Sequence, residues 1–167
     1  MKSVRKLTRC AFLTAAALVV FVIESQIPPL TAIPGIKPGL SNIFTLFALQ
    51  VLGPGWAFAL FLMRVTLGSV ITGQTMAFIY SMAGGLLAFA VMAALRKLPK
   101  DRLWVSGVLA AMAHNLGQIA AAVAVTGTKE ILYYLPVLLL SGIIAGSFTG
   151  ICAQLVLRRL RNHRWFH

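Results

Sequence analysis

Met76–Leu95 reads MAFIYSMAGGLLAFAVMAAL, twenty residues without a charge. Arg96–Arg102 follows as RKLPKDR, with four basic residues in seven. About 20 consecutive apolar residues are what an α-helix needs to cross a bilayer. An uncharged span ending in a basic cluster is therefore read as a transmembrane helix leaving the membrane. The same pattern recurs on both sides of it. Breaking the 167 residues at Pro/Gly clusters and charge runs gives six candidate helices, roughly 10–27, 40–52, 56–71, 76–95, 103–125 and 132–157. Pro28-Pro29 stops the first. Gly53-Pro54-Gly55 is a tight turn between the second and third. The second is short for a span. The expectation is an all-α, polytopic membrane protein, a single domain built as a six-helix bundle.

Composition agrees. Hydrophobic residues make up 59% of the chain and charged residues 11%, against about 45–50% and about 25% in soluble domains. Mean hydropathy is +0.89. A soluble globule and a disordered chain are both excluded. The net charge is +12, which in a soluble protein would suggest nucleic acid. Here position matters more than the sum. Four basic residues precede the first helix (Lys2, Arg5, Lys6, Arg9). Four more lie between the fourth and fifth (Arg96, Lys97, Lys100, Arg102), and four follow the sixth (Arg158, Arg159, Arg161, Arg164). With six crossings all twelve fall on one side, and only Lys37 and Lys129 fall on the other. The positive-inside rule then puts both termini in the cytoplasm of a prokaryotic plasma membrane. The basic residues orient helices and meet anionic lipid rather than nucleic acid. Trp56, Trp104 and Trp165 mark the cytoplasmic boundary; Tyr80, Tyr133 and Tyr134 mark the outer one. Residues 1–27 also resemble a secretory signal, but Glu24-Ser25-Gln26-Ile27-Pro28 offers no small-residue cleavage site, so the first helix is expected to be retained. Cys10 and Cys152 give no disulfide framework, and no Cys/His spacing suggests zinc.

Polar groups within a bilayer are costly and ask for a partner or a role. The first helix carries Glu24, the second opens on Ser41-Asn42, the third holds Arg64, and the fifth holds His114, Asn115 and Gln118. His114 and Gln118 are four apart, on one helix face. At 1.5 Å per residue, Glu24 lies about 20 Å along its helix, Arg64 about 12 Å and His114 about 16 Å. These depths run from the midplane outward. They predict an outward-opening polar pocket, with the loop Thr31–Gly39 as its lid and Lys37 at its rim. Arg64, Lys37 and His114 would meet polar or anionic groups of a ligand. Asn42, Asn115 and Gln118 would donate hydrogen bonds, and Glu24 would orient Arg64. A structural alternative stands beside this: Glu24 and Arg64 pair with each other, while His114, Asn115 and Gln118 bond between helices. Gly142, Gly146 and Gly150 repeat every four residues and predict close internal packing, with a docking face for a partner subunit as the alternative, and the methionines read as core filler. No P-loop is present, so the chain does not itself use ATP in the usual way. No acid-rich diphosphate–metal motif is present either. Neither a catalytic set, nor a metal, nor a cofactor is expected.

Eight stretches together carry a resemblance: Phe21–Leu30 (FVIESQIPPL), Ile33–Lys37, Gly39–Ile43 (GLSNI), Leu52–Pro54, Met63–Ser69 (MRVTLGS), Ala83–Leu86, Ala113–Gln118 (AHNLGQ) and Tyr133–Gly142 (YYLPVLLLSG). In this order they resemble the Gx transporter family, also labelled heptaprenyl diphosphate synthase component I, over nearly the whole chain. That family is similar in turn to the substrate-binding S components of energy-coupling factor transporters. The resemblance implies a six-helix bundle that binds a vitamin-like, quinone-related or flavin-related precursor from outside. It also implies a membrane coupling subunit with ATPases as partner, docked on small residues of the first helix, here Ala11 and Ala15. A non-transporting subunit beside an isoprenoid or redox partner is the alternative.

Overall fold

The structure, a computed structural model, describes residues 2–26, 37 and 39–160. Among these there are six α-helices and no strand. α1 spans Lys2–Gln26, α2 Asn42–Val51, α3 Pro54–Thr72, α4 Thr75–Ala94, α5 Leu103–Thr126 and α6 Leu135–Leu160, with short 3₁₀ turns at Leu95–Lys97, Lys100–Arg102 and Lys129–Tyr134. Five helical segments are long and apolar enough to cross a membrane. Their outward side chains are apolar, among them Phe12, Val70, Ile71, Leu140, Ile144 and Phe148. In water such a surface would aggregate; in lipid it needs no cover.

α2 is the departure from six equal spans. Its ten residues measure about 15 Å, half of a hydrocarbon core of about 30 Å. It still ends beside the first part of α1: just past it, the Trp56 carbonyl accepts from the Cys10 thiol at 3.7 Å. Asn42 N–H donates to the carbonyl of Gly39, whose φ of +78° sets the turn into the helix. At its far end Leu52 and Gly53 N–H both donate to the Ala48 carbonyl. Gly53, at φ +97°, then reverses the chain, and Pro54 starts α3 at a position that needs no N–H. The Gly-Pro-Gly turn is thus as expected.

Other boundaries moved for simple reasons. α1 begins at Lys2 rather than near Cys10, because the basic stretch before the apolar span contains good helix formers and no breaker. α6 begins at Leu135 rather than near Leu132, behind a 3₁₀ turn with Pro136 in its first turn.

α1, α3, α4, α5 and α6 form a ring in that order, and α2 touches each of them. Leu13 of α1, Phe47 of α2, Leu103 of α5 and Leu157 of α6 pack together, while Cys10, Met92 and Ala153 join the main core. The basic flanks of α1, α4, α5 and α6 therefore share one end of the bundle. The ring closes tightly from α4 to α6. A Cβ on Gly107 would lie 2.5 Å from the Gly146 carbonyl, and one on Gly150 would lie 2.6 Å from Trp104 Cα. The glycine repeat of α6 is internal packing, as its spacing suggested. Between α6 and α1 the ring is looser. There a wholly apolar groove of about 250 Å³ is lined by Ile43, Phe44 and Phe47 of α2 and by Phe12, Leu13 and Val156.

Of the outer tyrosines, Tyr80 is buried against Ile119, Ile131 and Leu138, while Tyr133 is exposed. Of the methionines, Met92 is core, but Met63 and Met76 are half-exposed on the outer face. Trp165, Arg161 and Arg164 lie outside the described residues. Cys10 and Cys152 are free thiols.

Candidate functional site

Because α2 starts halfway down, its N-terminus and the turn before it sit inside the bundle. Their backbone polar groups must find partners there. Glu24, near the end of α1, supplies them. Its carboxylate accepts the Leu40 N–H at 2.8 Å, the Ser41 N–H at 3.5 Å and the Ser41 hydroxyl at 3.2 Å. Arg64, at the middle of α3 and 2% exposed, donates through Nη1 to Ser41 Oγ and through Nη2 to Asn42 Oδ1 at 2.9 Å. The anticipated pairing of Glu24 with Arg64 thus runs through a hydroxyl. Ser41 donates to the carboxylate and accepts from the guanidinium. The GLSN stretch signalled polar groups at this helix start, but Ser41 itself was not among the expected site residues.

α5 supplies the opposite wall. His114 and Gln118 face the centre from one side of the helix and are 3% and 0% exposed. With its amide oriented to suit both groups, Gln118 donates to the Lys37 carbonyl at 3.1 Å and accepts the Lys37 N–H at 3.2 Å. Gly39 fits where a side chain would not: a Cβ there would lie 3.0 Å from both Asn42 Nδ2 and His114 Cδ2. Phe21 lies beneath the cations, with Lys37 Nζ 4.2 Å from its ring centroid and Arg64 Cζ 6.0 Å away. Gly68 makes room for it, since a Cβ at Gly68 would lie 2.5 Å from Phe21 Cδ1.

Lys37 is a further correction. It is not at a rim. It is 6% exposed, inside the cluster. Burial pushes its ammonium below the ordinary lysine value; the Glu24 carboxylate offsets this, and the Arg64 guanidinium adds to it. The rest of the expected lid, Thr31–Ile36 and Pro38, lies outside the described residues.

Phe21, Glu24, Lys37, Gly39, Ser41, Arg64, Ser81 and His114 line one cavity. About 10 Å³ of it is open to the centre of a water molecule, room for about one water. Among the described residues, Lys37 Nζ, Arg64 Nε and Asn42 Nδ2 have no hydrogen-bond partner. Six of the seven expected residues therefore meet: Glu24, Lys37, Asn42, Arg64, His114 and Gln118. Asn115 does not. It points to the other side of α5 and donates to the Leu138 carbonyl of α6, beside Gly142. Ala11 and Ala15 are exposed on α1, away from the core. No cluster of three or more His, Cys, Asp or Glu suited to a metal occurs among the described residues.

Heptaprenyl diphosphate synthase component I matches the chain over residues 13–156. The chain belongs to that family. The family is also known as the Gx transporter family, and the match takes in most of α1 and α6, all of the helices between them and the residues lining the central cavity. No curated protein and no solved structure matches the chain.

Proposed function

We propose that this family member is a membrane substrate-binding subunit. It takes up a small molecule from the end of the bundle opposite its basic flanks. The observation that carries this is the central cavity, where buried donors stand without partners. Purely structural polar groups in a membrane normally find partners on neighbouring helices; Asn115 does so through Nδ2, while its Oδ1 is left without one. The transporter label of the family points the same way. With the basic flanks inside by the positive-inside rule, both termini are cytoplasmic and the polar end opens outward. Glu24, Lys37, Asn42, Arg64, His114 and Gln118 hold the ligand or the groups that touch it; Asn115 holds α5 to α6. A cavity with room for one water must enlarge to admit a ligand of vitamin size. The resemblance to energy-coupling factor S components implied by the family's motifs favours a coupling subunit with ATPases as the energy source, docked at Ala11 and Ala15 of α1.

The test is direct. Protein purified from its native membrane is extracted and analysed by mass spectrometry for a retained small molecule. Each candidate is then added back in a thermal-shift assay and followed in uptake by a deletion strain. A retained metabolite that raises Tm and whose uptake is lost on deletion supports the proposal. A broad panel without a shift, together with unchanged uptake, overturns it.

A second reading, a non-transporting subunit in isoprenoid or quinone synthesis, is favoured by the family's synthase description and by the apolar groove between α1, α2 and α6. It predicts copurification with a synthase or redox partner, and function that survives Arg64→Ala.

A further inference from the structure

The charges around the cavity do not balance. Two cations, Lys37 and Arg64, face it with one carboxylate, Glu24, and His114 adds no anion. All four side chains are less than 7% exposed. An unpaired charge in a low-dielectric interior is expensive. The carboxylate is also committed: it accepts two backbone N–H groups and the Ser41 hydroxyl. Three donors at or beside the cavity are left over. Lys37 Nζ and Arg64 Nε have no partner among the described residues, and neither has Asn42 Nδ2, which adjoins Gly39 and His114 on the cavity wall. The site therefore lacks one negative charge with several acceptor lone pairs.

We propose that the cavity takes a carboxylate of the ligand, held between Lys37 Nζ and Arg64 Nε with Asn42 Nδ2 as a further donor. This rests on the carrier reading above and narrows it to acids carrying one such group. A single charge suffices, because one carboxylate neutralises the site. A phosphate dianion would overshoot and would face Glu24. The Phe21 ring beneath the two cations fixes where they stand without neutralising them. The surplus charge also predicts that the empty site is strained by Lys37: the side chain that binds the ligand is one the ligand-free fold would do better without.

The experiment uses the full chain in detergent, at fixed ionic strength. Formate, acetate and benzoate are each compared with formamide, acetamide and benzamide, and with inorganic phosphate. The readouts are Tm and the apparent affinity of any saturable shift. The expected result is a saturable rise in Tm with at least one carboxylate and none with its amide. Lys37→Met should lose that shift at least tenfold in affinity while melting several degrees higher than the parent without ligand. Lys37→Gln is the second variant should the first fail to accumulate, and Glu24→Gln should melt lower because it enlarges the imbalance. Three results overturn the proposal: equal shifts with acid and amide, a shift with phosphate alone, or a ligand-free Lys37→Met and Lys37→Gln that both melt below the parent. Uptake of a neutral metabolite that persists in Lys37→Met removes the carboxylate assignment and leaves the carrier standing. A wild-type chain that retains and transports nothing removes the carrier itself.

Discussion

The two sides of this bundle solve the same problem in opposite ways. From α4 to α6, helices meet through glycine: Gly84 against Gln118 and His114, Gly117 against Ala83, Gly107 against Gly146 and Gly150. Backbones approach closely, and Asn115, the polar group at the α5–α6 contact, donates to a backbone carbonyl. From α1 to α3 the chain is interrupted instead. α2 is half a span, and its start is held by side chains: Glu24, Ser41, Asn42 and Arg64. Lipid gives no hydrophobic drive for helices to associate, so dispersion and interhelical hydrogen bonds must hold the bundle. The glycine side relies on the first, and its backbones have little room to shift. The interrupted side relies on the second and leaves donors over. A stiff wall opposite an adjustable one is a suitable frame for a cavity that must open.

The contrast is broken most severely on the rigid side. A Cβ on Gly146 would lie 2.7 Å from both the Gly107 carbonyl and Val108 Cα, and backbone cannot step aside as a side chain does. Gly146→Leu should cost about 3 kcal/mol or more by overpacking. Folded protein should largely disappear from size-exclusion profiles. Ala11→Leu adds a comparable side chain on the exposed face of α1 and should change stability by less than about 0.5 kcal/mol. If Ala11 docks a coupling subunit, the same variant abolishes uptake while Tm holds, which separates docking from folding.

On the interrupted side the vulnerable atom is Ser41 Oγ. Ser41→Ala removes the hydroxyl that joins Glu24 to Arg64 and leaves one guanidinium donor buried without a partner. The expected loss is about 1–3 kcal/mol, read as a lower Tm, with binding of any retained ligand weakened in parallel. Asn115→Ala is the milder counterpart on the rigid side. Interhelical hydrogen bonds in membranes average about 0.6 kcal/mol, so Tm should fall slightly and ligand binding should be unchanged. Loss of binding in Asn115→Ala would return that residue to the site.

Much of this was legible in the residues because the bilayer imposes it. Uncharged runs of the required length, breakers between them and basic residues at alternate ends leave few ways to thread the chain, and the glycine repeat of α6 marks a close contact that proves to be internal. The depth at which α2 begins was not legible. Leu40–Leu52 reads as a short span in sequence. Only the Glu24 carboxylate reaching Leu40 and Ser41 shows that its start is drawn inside. That one fact also moves Lys37 from the rim to the interior and puts Ser41 between two charges expected to touch. The burial of Tyr80 was not legible for a similar reason: it faces α5, and sequence spacing alone does not rank two apolar faces of one helix.

The smallest effect expected is with pH, and it tests the interrupted side alone. Lys37 is held below the ordinary lysine value, about 10.4, chiefly by burial. As pH rises through its lowered value the folded chain gives up this proton while the unfolded chain keeps it. The unfolded state then binds more protons, so stability of the ligand-free protein rises with pH in that window and levels off near the ordinary value. Carboxylate affinity moves the other way, because the neutral amine no longer attracts an anion. Glu24 from α1, Arg64 from α3 and His114 from α5 are the charged or titratable groups facing Lys37. Other lysines, the tyrosines and the thiols also titrate at alkaline pH, so the quantity to follow is the difference between the parent and Lys37→Met. Between pH 7 and pH 10 the parent should gain Tm on the variant as its carboxylate-induced shift fades. Two curves that run parallel throughout would mean that Lys37 keeps its proton, and that the surplus charge is balanced by a group not yet counted.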